Sequence, residues 1–163
     1  MSNFIIRKAT IEDVEKIVYL IKQLAIYEKL EHEAIVTKEQ IVANVFNQQY
    51  AHVLIAEEND ETIGFALYFF NFSTFVGKPG LYLEDLYVEP THRGKGYGKK
   101  LLIELAKIAK EKNCGRMEWV VLDWNTPSIE FYKSLGAFPL DEWSVFRLTE
   151  DKIHKLLVLD ISR

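Results

Sequence analysis

Apolar positions along the chain change their period repeatedly, and each change marks an element. FIIR (4–7) is a short apolar run that predicts a first strand. Residues 10–13, Thr-Ile-Glu-Asp, have the form of a capping box. Val14, Ile17, Val18, Ile21, Leu24 and Ala25 follow at helical spacing, predicting a helix to about Glu28. A second box, Thr37 with Gln40, opens a shorter helix through Ile41 and Val45. HVLIAEE and ETIGFALYFFNF flank a turn at 58–61 and predict an antiparallel hairpin, with its aromatic run (65–72) in the core. GKPG (77–80) breaks the chain before the strand LYLEDLYV (81–88). A glycine-rich segment comes next, then a helix on Leu101, Leu102, Leu105, Ile108 and Ala109, ending near Gly115. MEWVVL (117–122) predicts a strand buried on both faces. Thr126 and Pro127 start another helix that Gly136 ends. WSVFRL (143–148) predicts a last strand, and Thr149 a cap for a terminal helix. The order β-α-α-β-β-β-α-β-α-β implies one mixed α/β domain over 1–163, antiparallel early with a βαβ crossover late.

Composition narrows the classes. The 163 residues are 48% hydrophobic, and a domain of this length buries roughly 70% of its unfolded surface without metal or disulfide staples. Cys114 is the single cysteine, which precludes an internal disulfide and fits a reducing, cytoplasmic compartment. No apolar run reaches the length of a membrane span, and the start is too charged for a secretion signal. A net charge of −4 argues against a nucleic-acid partner. The charge is nevertheless segregated. HRGKGYGKK (92–100) is a basic patch suited to an anion, whereas YEKLEHE (27–33), EENDE (57–61) and YLED (82–85) are acidic and suited to a cation. His32, His52, His92 and His154 show no metal-ligand spacing, so no metal site is expected. Cys114, at a helix end, reads as a small filler.

The basic patch is neither of the two common phosphate loops, GxxxxGK[ST] or GxGxxG. It reads R-x-x-G-x-G from Arg93, between a strand and a helix. The first N–H groups of a helix are unpaired, and its N-terminus carries partial positive charge. Glycines let an anion approach those donors with no Cβ in the way. Together with YLEDLYV and WNTPSIEFYKSLGA, the segment resembles the GNAT superfamily of acetyl-CoA-dependent N-acetyltransferases. Their signature, [QR]-x-x-G-x-[GA], lies between the fourth strand and third helix. More narrowly, IRKATIEDVEKIVYLIKQLAIYEKLE, RGKGYGKKLL, VVLDWNTPSIEFYKSLGA and WSVFRL are similar to the diamine (spermidine/spermine) N-acetyltransferase family, nearly end to end. The resemblance implies a GNAT fold, with a mostly antiparallel mixed sheet, splayed strands and flanking helices. It also implies acetyl-CoA as co-substrate, a small primary-amine acceptor and a homodimer. Where the polyamine enzymes carry an acidic residue and a tryptophan after the third strand, this chain has Phe72, Ser73, Thr74 and Phe75. That departure, with YEKL and VLDWN, looks more like the branch that acetylates thialysine and related amino acids.

Acetyl transfer to an amine sets three demands. The amine must be neutral, yet a lysine-like group with a pKa of about 10.4 is uncharged in about one molecule per thousand at pH 7.4. The carbonyl needs a donor for its developing charge, and the departing thiolate needs a proton. Glu84 is the candidate base, because a carboxylate mid-strand among leucines is costly without a task or partner; the alternative is an edge residue facing solvent. Asp85 should point to the opposite face unless the strand bulges. The resemblance implies Tyr132 as the acid, although at helical spacing it also shares an apolar stripe with Ile129 and Leu135. It further implies an oxyanion donor among the backbone N–H groups of Leu86, Tyr87 and Val88. The pyrophosphate would rest on Arg93, Gly94, Lys95, Gly96, Tyr97, Gly98 and Lys99, and Asn125 would bond the pantetheine arm or simply cap its helix. Tyr27, Glu28, Glu84, Asp85 and Trp124 would form the acceptor pocket; without the resemblance, Tyr27 reads as core and Glu28 as solvent-facing. Two rival functions remain: a protein-lysine or N-terminal acetyltransferase, which needs a groove for an extended peptide, and a non-catalytic CoA-binding sensor, which could dispense with Glu84 and Tyr132.

Overall fold

The computed structural model describes residues 2–161, which form two compact units, one ending at Leu122 and the other beginning at Asp123. The first holds a five-stranded sheet in sequential order. Its strands are β1 (Phe4–Lys8), β2 (His52–Glu58), β3 (Glu61–Ser73), β4 (Lys78–Val88) and β5 (Arg116–Glu118). The first four pair antiparallel, and β5 joins β4 in parallel. The β2–β3 turn is built on Asn59 and Asp60, both at positive φ (52° and 66°), residue types that tolerate that conformation in tight hairpins.

Helix α1 (Val14–Tyr27) starts where the sequence places its box: the Thr10 N–H donates to Asp13 Oδ2 at 2.7 Å. Arg7 of β1 grips the same carboxylate with both Nη atoms at 2.8 Å and gives its Nε to Glu57 of β2. One guanidinium thus ties two strands to a helix start. The apolar stripe of α1, Val14, Ile17, Val18, Leu20 and Leu24, packs with Ile41, Val45, Val53, Ile55, Phe65 and Tyr87 into one core. Helix α3 (Tyr97–Glu111) packs against β2, β4 and β5, burying Leu101, Leu102, Leu105 and Ala109. In the second unit, α4 (Thr126–Ser134) is capped by Asn125, whose Oδ1 accepts from the Ser128 N–H, and α5 spans Glu150–Ile161.

Five expectations need correction. The helix opened by Thr37 is regular only over α2 (Lys38–Ile41) and continues as a wider π turn, Val42–Asn47. The GKPG break is confined to its first residue, since Lys78, Pro79 and Gly80 already belong to β4. MEWVVL is a strand only through Glu118, and Val120 is 68% exposed. The ladder to β4 stops at Tyr82↔Glu118, and apolar content cannot reveal where a ladder stops. WSVFRL forms no strand; an alternating run becomes one only where another backbone offers a ladder, and no strand lies among the described residues of the second unit. The aromatic run of β3 is core only in part: Phe65 and Tyr68 are buried, whereas Phe72 is exposed.

Candidate active site

Strand β4 carries two irregularities, and both fall at the predicted site. The first is a bulge. Asp85 stands opposite Leu67 and Leu83 opposite Tyr68, so Glu84 is an extra residue without a cross-strand partner. Such an insertion breaks the alternation that would send adjacent side chains to opposite faces. Glu84 and Asp85 become electrostatic neighbours, and Glu28, the residue that ends α1, joins them. Burial first, then Glu84 and Glu28, pushes the Asp85 carboxyl up from 3.8 to about 7. Glu28 is raised as well, by burial and then by Glu84. Among the described residues, none of the three has an ion-pair partner. Uncompensated negative charge in a partly buried place attracts a cation.

The second irregularity is the open edge. β4 pairs with β5 only from Gly80 to Tyr82, while its other edge stays paired to β3 through Val88↔Gly64. Leu86, Tyr87 and Val88 therefore lie beyond the last parallel pair. Tyr87 faces the α1 core and is buried. Arg93 folds back on this strand end: its Nε donates to the Val88 carbonyl at 2.8 Å. Its guanidinium lies 5.0 Å from the Tyr27 ring centre and 5.3 Å from that of Tyr87. The arginine expected to meet pyrophosphate thus links the end of α1 to the end of β4.

The loop that follows leads into α3 as expected. Gly96, the N-cap of α3, sits at φ 80°, a left-handed conformation that glycine adopts without strain. Lys100 donates the helix's first internal hydrogen bond, to Gly96 O at 3.1 Å. The N–H groups of Tyr97, Gly98 and Lys99 remain in the unpaired first turn. A Cβ added at Gly94, Gly96 or Gly98 would meet nothing within 4 Å, so the face of the loop is open. That open, donor-lined turn fits a pyrophosphate. The cations are otherwise engaged: Lys95 Nζ reaches both oxygens of Glu58 at 3.3 Å, and Lys100 lies 5.0 Å over the Phe4 ring. Among the described residues Lys99 has no such partner.

Glu58, noted in the sequence only as part of the acidic run 57–61, is buried at the end of β2. Tyr97 Oη donates to it at 2.5 Å, and His92 Nε2 lies 3.4 Å away. The Tyr97 hydrogen bond, ahead of the one from Lys95, holds its carboxyl below the usual range. A glutamate beside a turn, inside an acidic run, reads as solvent-facing; only the fold brings it under the loop. Trp124, Asn125 and Tyr132 belong to the second unit. There Asn125 caps α4, and the Tyr132 ring lies 5.6 Å from that of Phe131.

Fold and loop define a mixed-sheet α/β protein with an open, donor-lined turn at the head of a helix and a cluster of carboxylates at a strand bulge. The chain belongs to the acetyltransferase (GNAT) family, whose sequence profile matches residues 15–137. It is 36% identical to thialysine N-epsilon-acetyltransferase of Bos taurus, over 96% of this chain and 98% of the relative. It is 32% identical to L-ornithine N5-acetyltransferase of Arabidopsis thaliana, over 96% and 89%. Among solved structures, an integron cassette protein from the mobile metagenome of V. cholerae superposes with a TM-score of 0.79 at 28% identity, over 94% and 97%. The chain is an acetyltransferase, and enzymes of this family use acetyl-CoA. No helix among the described residues is long and apolar enough to cross a membrane.

Proposed function

We propose that the enzyme moves the acetyl group of acetyl-CoA directly to the primary amine of a small cationic acceptor, an amino acid of the thialysine, lysine or ornithine kind or a short diamine. The observation that carries this reading is the uncompensated trio of Glu28, Glu84 and Asp85, with Asp85 raised to about 7. A cationic amine would supply the charge the trio lacks. The names of the two amino-acid acetyltransferases similar to this chain favour the amino-acid end of the class.

When bound, acetyl-CoA supplies an acyl carbon activated as a thioester. Gly94, Gly96, Tyr97, Gly98 and Lys99 would hold its pyrophosphate, and Asn125 its pantetheine arm. The trio orients the acceptor against Tyr27. Glu84, exposed at the bulge, takes the amine proton through water, and Asp85 is the better-poised neighbour, since a base works best with a pKa near the working pH. A backbone N–H among Leu86, Tyr87 and Val88, on the open edge of β4, would face the developing oxyanion. Tyr132 would return a proton to the sulfur, a thiolate of pKa about 8.5. A cytoplasmic homodimer completes the reading.

Thiol release from acetyl-CoA at pH 8 across putrescine, spermidine, spermine, lysine, ornithine, thialysine and a lysine-containing peptide tests it. Turnover is expected with one or more small amines, and most strongly with an amino acid. Turnover with the peptide alone would overturn the acceptor class.

A further inference from the structure

A carboxylate sealed under the glycine loop takes no part in the chemistry above. The Glu58 side chain is only 4% exposed, and a buried charge is retained only where donors offset its lost hydration. Here most of the donors come from the loop itself, with Ser2 adding one from the start of the chain. Tyr97 gives its hydroxyl at 2.5 Å, Lys95 reaches both oxygens at 3.3 Å, and His92 Nε2 stands 3.4 Å away. Positions 92, 95 and 97 flank Gly94 and Gly96, the residues with least conformational restraint of their own. Tyr97 is also the first residue of α3, and its ring stacks on Phe4 of β1 at 3.9 Å and 5°.

We propose that Glu58 is a positioning residue: it fastens the loop from beneath so that its backbone donors stand ready for the pyrophosphate of coenzyme A. Two consequences follow from the geometry. Lys95 is committed to Glu58, so the phosphates are met by backbone N–H groups and Lys99 rather than by Lys95. A ligand arriving at a loop already ordered avoids the cost of ordering it. The inference rests on reading this loop as the coenzyme A site.

Coenzyme A affinity measured by calorimetry, with steady-state kinetics alongside, separates this role from two others. For Glu58→Ala, the dissociation constant should rise about 10-fold, the loss expected when the ligand must order loop side chains itself. The kinetic change should fall on the acetyl-CoA KM rather than on kcat. Glu58→Gln keeps an acceptor for the Tyr97 hydroxyl and should recover most of the affinity. Tighter binding in both variants would mean that Glu58 acts only by repelling the phosphates and would overturn the proposal. So would wild-type affinity in a folded Glu58→Ala. If Glu58→Ala does not fold, Tyr97→Phe breaks the shortest fastening while keeping the ring stack, and several-fold weaker binding is expected from it. No coenzyme A binding by the wild type would overturn the functional reading, and this inference with it; wild-type binding with unchanged variants would overturn this inference alone.

Discussion

Asp85 can ionise only against its own burial and against two neighbouring carboxylates. Because its folded pKa, about 7, lies above the 3.8 of a free side chain, holding it as a carboxylate destabilises the fold. The penalty is absent below pH 4, grows from there to pH 7 and is complete above. Asp85→Asn removes it. Its melting temperature should exceed the wild type's at pH 8 by at least about 2 °C, with the gap closing as pH falls to 4. The acetylation rate should fall in the same variant, and the rising limb of its pH profile near 7 should flatten. A melting difference independent of pH would show that Asp85 is not the strained group. The sequence does show two acids in the middle of an apolar strand. Alternation, however, sends them to opposite faces, and only the register of β3 against β4 reveals the extra residue that brings them together.

Elements were legible wherever their cause is local. Both capping boxes form, Asn125 caps α4, and the apolar stripes of α1 and α3 face the core. The glycine segment joins β4 to α3 as its composition implies, with Gly96 at φ 80° and no atom within 4 Å of a Cβ placed there. Gly96→Ala therefore meets no clash, only the left-handed penalty of about 1–2 kcal/mol. Its melting temperature should drop by roughly 2–8 °C, and its acetyl-CoA KM should rise as the loop relaxes. An unchanged KM would indicate that the loop's shape does not matter to the donor. The strand predictions failed over 119–122 and 143–148 for a common reason. Apolar content says that a segment can pair, not that a partner is present.

At the scale of the whole molecule, charge segregation in the sequence suggested an anion site and a cation site on one chain, and both remain part of the proposed function. The homodimer we propose should appear in light scattering at twice the 19.0 kDa chain mass; a single-chain mass at micromolar concentration would dismiss it. The sequence by itself determined α1, α3, α4, the hairpin and the glycine loop, because capping, periodicity and turn chemistry act over a few residues, while the kind of reaction came from its resemblance to a known family. Only the tertiary structure decided the Glu84 bulge, the open edge of β4 past Tyr82 and the seat of Arg93 between two tyrosines. It alone placed Glu58 beneath a loop 39 positions further along the chain. Each of these depends on register or contact between segments far apart in sequence, and local propensity carries no information about such pairings.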